Sequence, residues 1–157
     1  MMIFVFTLVG LMLIASAANA EEIHNFRMCR KTRCEVYSVY IDPCPEALDN
    51  QPCEIPQGIN ASIIFKYRPK FGSMTPQTRL YAETLLMDLP FMDMDTNACL
   101  YTECPIRMNA EQDWKYNLFI SPDYPKNSYT VKLKFWDNGP KADKHDECCF
   151  KFNMKIV

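Results

Sequence analysis

Cysteines are the residues in this sequence whose type and spacing most clearly indicate chemistry. There are eight of them: Cys29, Cys34, Cys44, Cys53, Cys99, Cys104, Cys148 and Cys149. An even number of cysteines in a short chain is typical of a disulfide framework formed in an oxidising compartment. Cys99 and Cys104 lie five positions apart beside Pro105, so we expect a loop closed by its own short disulfide.

The sequence lacks the residue patterns that catalysis or metal binding requires. The two histidines, His24 and His145, lie in polar segments, and no serine lies in a Gly-x-Ser-x-Gly motif. Residues 93–97 begin like a calcium loop, but Ala98 replaces the required glycine and Cys104 the required glutamate. With the cysteines in disulfides, zinc has no ligand set. We therefore expect no enzyme activity, no metal and no cofactor, and solvated carboxylates in 93–97.

The amino-terminal segment has the pattern of a secretory leader. An apolar run over 3–14 is followed by small residues ending at Ala20, before two glutamates. This predicts a signal peptide at 1–20. An uncleaved membrane anchor is the alternative, but the run is shorter than the roughly 20 residues that span a bilayer. The remaining residues, 21–157, have the length of one domain, and Asn60 in Asn-Ala-Ser is a candidate glycosylation site.

The charge of the chain is nearly balanced. Its formal net charge is −2, with acidic and basic residues interspersed and no charged tail. Nucleic-acid binding needs a concentrated basic surface. We therefore expect no nucleic-acid partner.

Apolar residues recur at every second position in several segments separated by proline and glycine turns, which predicts half-buried β-strands. The predicted inward faces comprise Tyr37, Val39 and Ile41; Ile59, Ala61, Ile63, Phe65 and Tyr67; Trp114, Tyr116, Leu118 and Ile120; Tyr129, Val131, Leu133 and Phe135; and Phe150, Phe152, Met154 and Ile156. Residues 77–87 are predicted as a further strand, although 81–87 also fit a helix locally. Residues 89–92 contain Pro90 and are predicted as an edge or rim. These segments predict an all-β antiparallel sandwich.

Several separated motifs occur together in an informative order. They are Pro43-Cys44-Pro45, Pro52-Cys53, Gly58, Asn97-Ala98-Cys99, Cys104-Pro105-Ile106, Tyr124-Pro125 and Cys149. From about Cys29 to Val157 the chain thereby resembles the ML lipid-recognition family, which includes the Niemann-Pick type C sterol carrier and the group 2 mite allergens. The resemblance implies an immunoglobulin-like antiparallel β-sandwich of six to eight strands with a lipid cavity between the two sheets.

The resemblance also implies three disulfides. They are Cys29 with Cys149, Cys44 with Cys53, and Cys99 with Cys104. Cys34 and Cys148 are left, and we expect a fourth bridge between them because both lie close in sequence to the first pair. An exchange of partners between these two neighbouring pairs stays open, since the choice depends on geometry.

A ligand pocket can be carried over from the sterol carrier residue by residue. The positions are Val39, Ile41, Ile63, Phe65, Leu89, Phe91, Leu118, Ile120, Tyr124, Pro125, Tyr129, Val131, Leu133, Phe135, Phe150 and Phe152. Phe91, Tyr124 and Pro125 correspond to the entrance. Periodicity alone favours a different interpretation, in which these side chains simply fill a closed sandwich core.

The resemblance implies a monomeric carrier, secreted or extracellular with the endolysosomal lumen as an alternative, that binds a sterol, fatty acid or related hydrophobic molecule. It would pass this ligand to a membrane or a receptor. The alternative is a recognition protein that presents microbial lipid to an immune receptor. Carriage of an odorant or pheromone is a third possibility and differs from the first only in its ligand.

Overall fold

Two β-sheets with apolar inner faces pack against each other in the computed structural model, which describes residues 20–157. The first sheet has the order β1-β3-β5-β8 and consists of β1 (Glu21–Ile23), β3 (Cys34–Asp42), β5 (Asn60–Pro69) and β8 (Gln112–Phe119). The second has the order β2-β10-β9-β6-β7 with β4 beside β10, and consists of β2 (Arg27–Met28), β4 (Cys53–Ile55), β6 (Pro76–Glu83), β7 (Asp88–Pro90), β9 (Ser128–Asp137) and β10 (Glu147–Ile156). The predicted sandwich is confirmed.

Most neighbouring strands are antiparallel, and β4 lies parallel to the end of β10. Six strands have eight residues or more, and the other four are short segments at the margins of the sheets. Two single-turn 3-10 helices, Pro45–Asp49 and Ala98–Leu100, lie in the loops. Residues 20–157 contain no helix with the length and apolar character needed to cross a membrane. The predicted signal peptide, 1–20, lies outside the described residues except for Ala20.

Aromatic rings fill the centre of the sandwich. Phe65 on β5 stacks on Trp114 of β8 with ring centroids 5.0 Å apart, and its edge meets Phe150 of β10 at 4.9 Å. Tyr67 meets Phe135 of β9 at 4.8 Å. All five side chains are fully buried, as alternation along β5, β8, β9 and β10 predicts. These ring contacts join the two sheets.

One predicted inward face is wrong at a single position. Val39 and Ile41 are fully buried, but Tyr37 is 43% exposed. The cause is a β-bulge: Val36 pairs with Tyr67 and Ser38 with Lys66, so Tyr37 is the extra residue between them. An inserted residue reverses the alternation on one side of it. Tyr37 therefore lies on the outer surface, where its ring contacts the Arg68 guanidinium.

The predicted strand 77–87 is also corrected. β6 ends at Glu83, residues 84–87 form a hairpin tip, and the chain returns as β7. The Thr84 side chain closes the tip, because its Oγ1 accepts a hydrogen bond from Met87 N at 3.1 Å and donates one to Met87 O at 2.6 Å. β7 is the last strand in its sheet, which confirms the expected edge.

Four disulfides link strands and loops of the sandwich. The pairs are Cys29–Cys149, Cys34–Cys148, Cys44–Cys53 and Cys99–Cys104, with Cα–Cα distances of 5.3, 5.2, 4.8 and 5.4 Å. Adjacent residues of a strand face opposite sides, so Cys148 and Cys149 meet different partners. Cys148 joins β10 to β3 of the other sheet, whereas Cys149 joins β10 to the end of β2.

Candidate ligand-binding cavity

An apolar cavity of about 300 Å³ lies between β6, β7, β9 and β10 of the second sheet and the segments 91–93 and 124–125. Ten described residues line it: Ala82, Leu89, Pro90, Phe91, Met92, Asp93, Tyr124, Pro125, Tyr129 and Ile156. Nine of these are apolar or aromatic, and Asp93 is the only charged residue among them. The volume is at the lower end of the range for small-molecule sites, which are typically concave and mostly apolar.

Two chain segments form the mouth, and each is held by hydrogen bonds. Phe91 follows β7, and its N donates to Leu80 O of β6 at 3.0 Å. The Gln57 side-chain amide donates to Pro122 O at 3.0 Å and to Tyr124 O at 2.7 Å, which fixes the loop before β9. These bonds place Phe91 and Tyr124 on opposite sides of the mouth.

The rings of Phe91 and Tyr124 meet there edge to face, with centroids 5.6 Å apart and an angle of 79° between their planes. Both side chains are half-buried. Tyr129 is fixed behind them, because its hydroxyl donates to Pro125 O at 2.6 Å. The pKa of Tyr124 is raised, first by burial and then by the negative charge of Asp93. The shift is away from neutral pH, where a phenol is protonated in any case.

The sixteen positions carried over as a ligand pocket divide into two groups. Five of them line the cavity: Leu89, Phe91, Tyr124, Pro125 and Tyr129. The other eleven are buried in the core and do not line it: Val39, Ile41, Ile63, Phe65, Leu118, Ile120, Val131, Leu133, Phe135, Phe150 and Phe152. Ligand binding by either group stays a prediction.

Comparisons with known proteins decide the family. Residues 24–156 match the family model described as the ML domain. This chain belongs to the ML-domain family. An MD-2-related lipid-recognition protein of Manduca sexta is 36% identical over 141 residues, covering 87% of each chain. The mite group 2 allergen Der f 2 of Dermatophagoides farinae is 26% identical over 135 residues, covering 84% of this chain and 88% of its own.

A solved structure supports the fold of this ML-domain protein. The Niemann-Pick type C2 protein from the Japanese carpenter ant superposes with a TM-score of 0.71 at 19% identity, over 84% of this chain and 98% of that one. At this identity the likeness establishes the fold. With the family match, it makes the protein a member of a lipid-recognition family with the predicted sandwich.

Five lining residues of the ML-domain cavity were not among the predicted positions: Ala82, Pro90, Met92, Asp93 and Ile156. The sequence pattern could have identified Ala82 as a lining residue, because a small side chain at an inward position of a strand leaves space beside larger neighbours. Ile156 belonged to a predicted inward face but lies near the end of the chain. Asp93 is exposed, as predicted for a loop carboxylate, yet it also borders the mouth.

Five exposed apolar side chains form what we call the apolar rim: Leu85, Leu86, Met87, Leu89 and Met92. Leu89 and Met92 line the cavity, and the other three lie at the tip of the adjoining hairpin. Leu86 at the hairpin tip is 92% exposed. The base of the hairpin is polar, and there Lys132 Nζ contacts Asp88 at 2.6 Å and Glu83 at 3.3 Å. Lys151 also pairs with Glu83. Hydrogen bonds from Lys151 and then Lys132 lower the pKa of Glu83, so the base carries paired charges beneath an apolar tip.

Asn60, the candidate glycosylation site, lies at the start of β5 and is exposed. It pairs with Phe119 at the end of β8. The side chain is thus accessible to a modifying enzyme, and glycosylation stays a prediction.

Proposed function

We propose that this ML-domain protein is a carrier that binds one hydrophobic molecule, such as a sterol, in this cavity without transforming it. The observation that supports this most is the apolar cavity, whose mouth is formed by the Phe91–Tyr124 pair. A ligand that buries about 400 Å² of apolar surface gains roughly 10 kcal/mol at about 25 cal/mol per Å². This gain must exceed the cost of association.

The cellular context of the proposal follows from the disulfides and the leader pattern. Four disulfides favour an oxidising compartment, so we propose an extracellular protein, with the endolysosomal lumen as the alternative. Residues 1–20 would be removed as a signal peptide, and 21–157 would act as a single monomeric domain. Sterol is the preferred cargo, and fatty acids and semiochemicals are the alternatives.

The apolar rim supports delivery of the cargo to a membrane. Insertion into a bilayer requires that backbone polar groups be hydrogen-bonded internally. At the hairpin tip Thr84 meets part of this requirement, since its N donates to Met87 O at 3.1 Å and its Oγ1 accepts from Leu86 N at 3.4 Å. A tip with exposed leucines and internally bonded backbone can enter the interface and bring the cavity mouth to the lipid surface.

The same rim favours a second candidate function. An exposed apolar patch beside a ligand mouth is also what a receptor-binding surface requires. In that case the protein would present a bound microbial lipid to a receptor ectodomain. Stable, ligand-dependent complex formation distinguishes this presenter from a carrier, which exchanges ligand with membranes without a lasting partner.

Exchange of a fluorescent sterol between donor and acceptor vesicles tests the carrier function. We expect the protein to accelerate exchange, and Leu86→Ser to reduce the rate by about tenfold or more, because a leucine side chain contributes about 1.5–3 kcal/mol on burial. Leu100→Ser is the matched control, because Leu100 is also an exposed leucine, at 61%. It lies three residues after Asn97, which pairs with Gln77 near the start of β6, whereas the hairpin tip follows the end of β6. No acceleration by the wild type, together with ligand-dependent receptor binding, would replace the carrier by the presenter.

A further inference from the structure

The mouth of the cavity carries one negative charge and no lining cation among the described residues. Asp93 is that charge. The neighbouring loop contributes Asp123 and Lys126, both exposed on either side of Tyr124-Pro125, and neither lines the cavity. Asp88 is paired with Lys132 through a contact of 2.6 Å. Among the described residues, Asp93 is therefore the only charged side chain in the cavity lining that an incoming head group meets.

The tyrosine hydroxyls at the mouth differ in their availability. The Tyr129 hydroxyl is already bonded to Pro125 O. The Tyr124 hydroxyl has no hydrogen-bond partner within residues 20–157, and as a phenol it is protonated at neutral pH. The mouth thus offers one carboxylate acceptor and one free hydroxyl, which can both donate and accept.

We propose that Asp93 and Tyr124 make this cavity selective for lipids with an uncharged hydroxyl head group, and against lipids whose head is an anion. This inference rests on the proposed carrier function and names its ligand class. The hydroxyl of an alcohol at the mouth donates a hydrogen bond to the Asp93 carboxylate and accepts one from the Tyr124 hydroxyl. A fatty-acid carboxylate or a lipid phosphate has no proton to donate at neutral pH and meets a like charge.

The proposed selectivity predicts which of the alternative ligands the carrier binds. Sterols and long-chain alcohols satisfy it, because both have an apolar body and a single hydroxyl. Ionised fatty acids and phosphorylated microbial lipids do not. The same selectivity disfavours the second candidate function for anionic microbial lipids, because such a lipid would place its charge beside Asp93.

Competition between two ligands of matched shape tests the selectivity. Oleyl alcohol and oleic acid share one hydrocarbon chain, and each would displace a neutral fluorescent sterol from the purified full-length mature chain near neutral pH. We expect the alcohol to compete at about tenfold lower concentration than the acid, as expected for two like charges in partly solvated surroundings. Equal competition by the two ligands would overturn the inference.

Substitutions at Asp93 test whether the selectivity depends on that residue. Asp93→Asn removes the charge at constant size and should bring the two ligands to within about threefold of each other, while Asp93→Lys should make the acid the better competitor. Asp95→Asn is the control, because Asp95 shares the loop but does not line the cavity, and its preference should match wild type. An unchanged preference in Asp93→Lys would also overturn the inference. If neither the wild type nor any variant binds sterol, alcohol or acid, both the proposed carrier function and this inference fail.

Discussion

Replacing Phe91 by alanine should weaken ligand binding while leaving the fold intact. Phe91 lines the cavity, lies half-buried at its mouth, and contacts the Tyr124 ring at 5.6 Å. Its position outside the central aromatic cluster means that few core contacts depend on it. The ring therefore contributes more to the wall of the cavity than to the packing of the sheets.

The size of the effect follows from the apolar area of the ring. A ligand covering about 70 Å² of the phenyl surface gains about 1.8 kcal/mol from it. This corresponds to a Kd about 20-fold higher in Phe91→Ala. The lost edge-to-face pair with Tyr124 costs about 0.5–1.5 kcal/mol of folding stability. Phe91→Arg should abolish binding, since a charge in an apolar cavity costs several kcal/mol.

Titration with a fluorescent sterol, beside thermal unfolding of each variant, measures both quantities. Phe119→Ala is the matched control, because Phe119 is 49% exposed and does not line the cavity. Its Kd should equal that of the wild type. Wild-type affinity in Phe91→Ala, with normal unfolding, would show that the ring does not contact the ligand and would refute the assignment of the mouth.

Two further predictions concern stability. Tyr67→Phe removes a buried hydroxyl that lies 2.8 Å from Thr102 Oγ1, so it should cost about 1 kcal/mol. This would lower Tm by about 3–6 °C in a calorimetric scan, and an unchanged Tm would contradict it. Glu83 has a pKa below its usual value of 4.5, chiefly through Lys151, so its contribution to stability is present above pH 4.5 and lost as pH falls through the folded pKa. Urea unfolding from about pH 6 to about pH 3 should show a smaller acid loss in Glu83→Gln, and an identical loss would exclude the pairing.

The strands of this protein are largely predictable from sequence because each buries one face. Alternation along β5 places Ala61, Ile63 and Phe65 inward, as observed. The bulge at Tyr37 was not predictable, since an alternating pattern does not record where an extra residue is inserted. The hairpin tip at 84–87 was missed because its leucines suit a strand or helix, whereas hydrogen bonds of Thr84 end the strand.

The site was predictable only in part. The family resemblance places Phe91, Tyr124 and Pro125 at the entrance of a ligand pocket, and all three line the cavity. Ligand entry there stays a prediction. Periodicity reports which side chains point inward but not where two sheets separate, so it cannot distinguish cavity from core. Asp93 illustrates a second limit: its exposure follows from its loop, but its position beside Tyr124 depends on how two distant segments meet.

The most direct test of the central claim is native mass spectrometry followed by lipid extraction, on the mature chain purified from a eukaryotic secretory host. We expect a bound sterol or similar neutral lipid at a stoichiometry near one per chain. Phe91→Arg should emerge empty from the same preparation. A wild-type chain that emerges empty and does not take up added sterol or alcohol would contradict the carrier function, and its apolar cavity would then be a gap in a closed core.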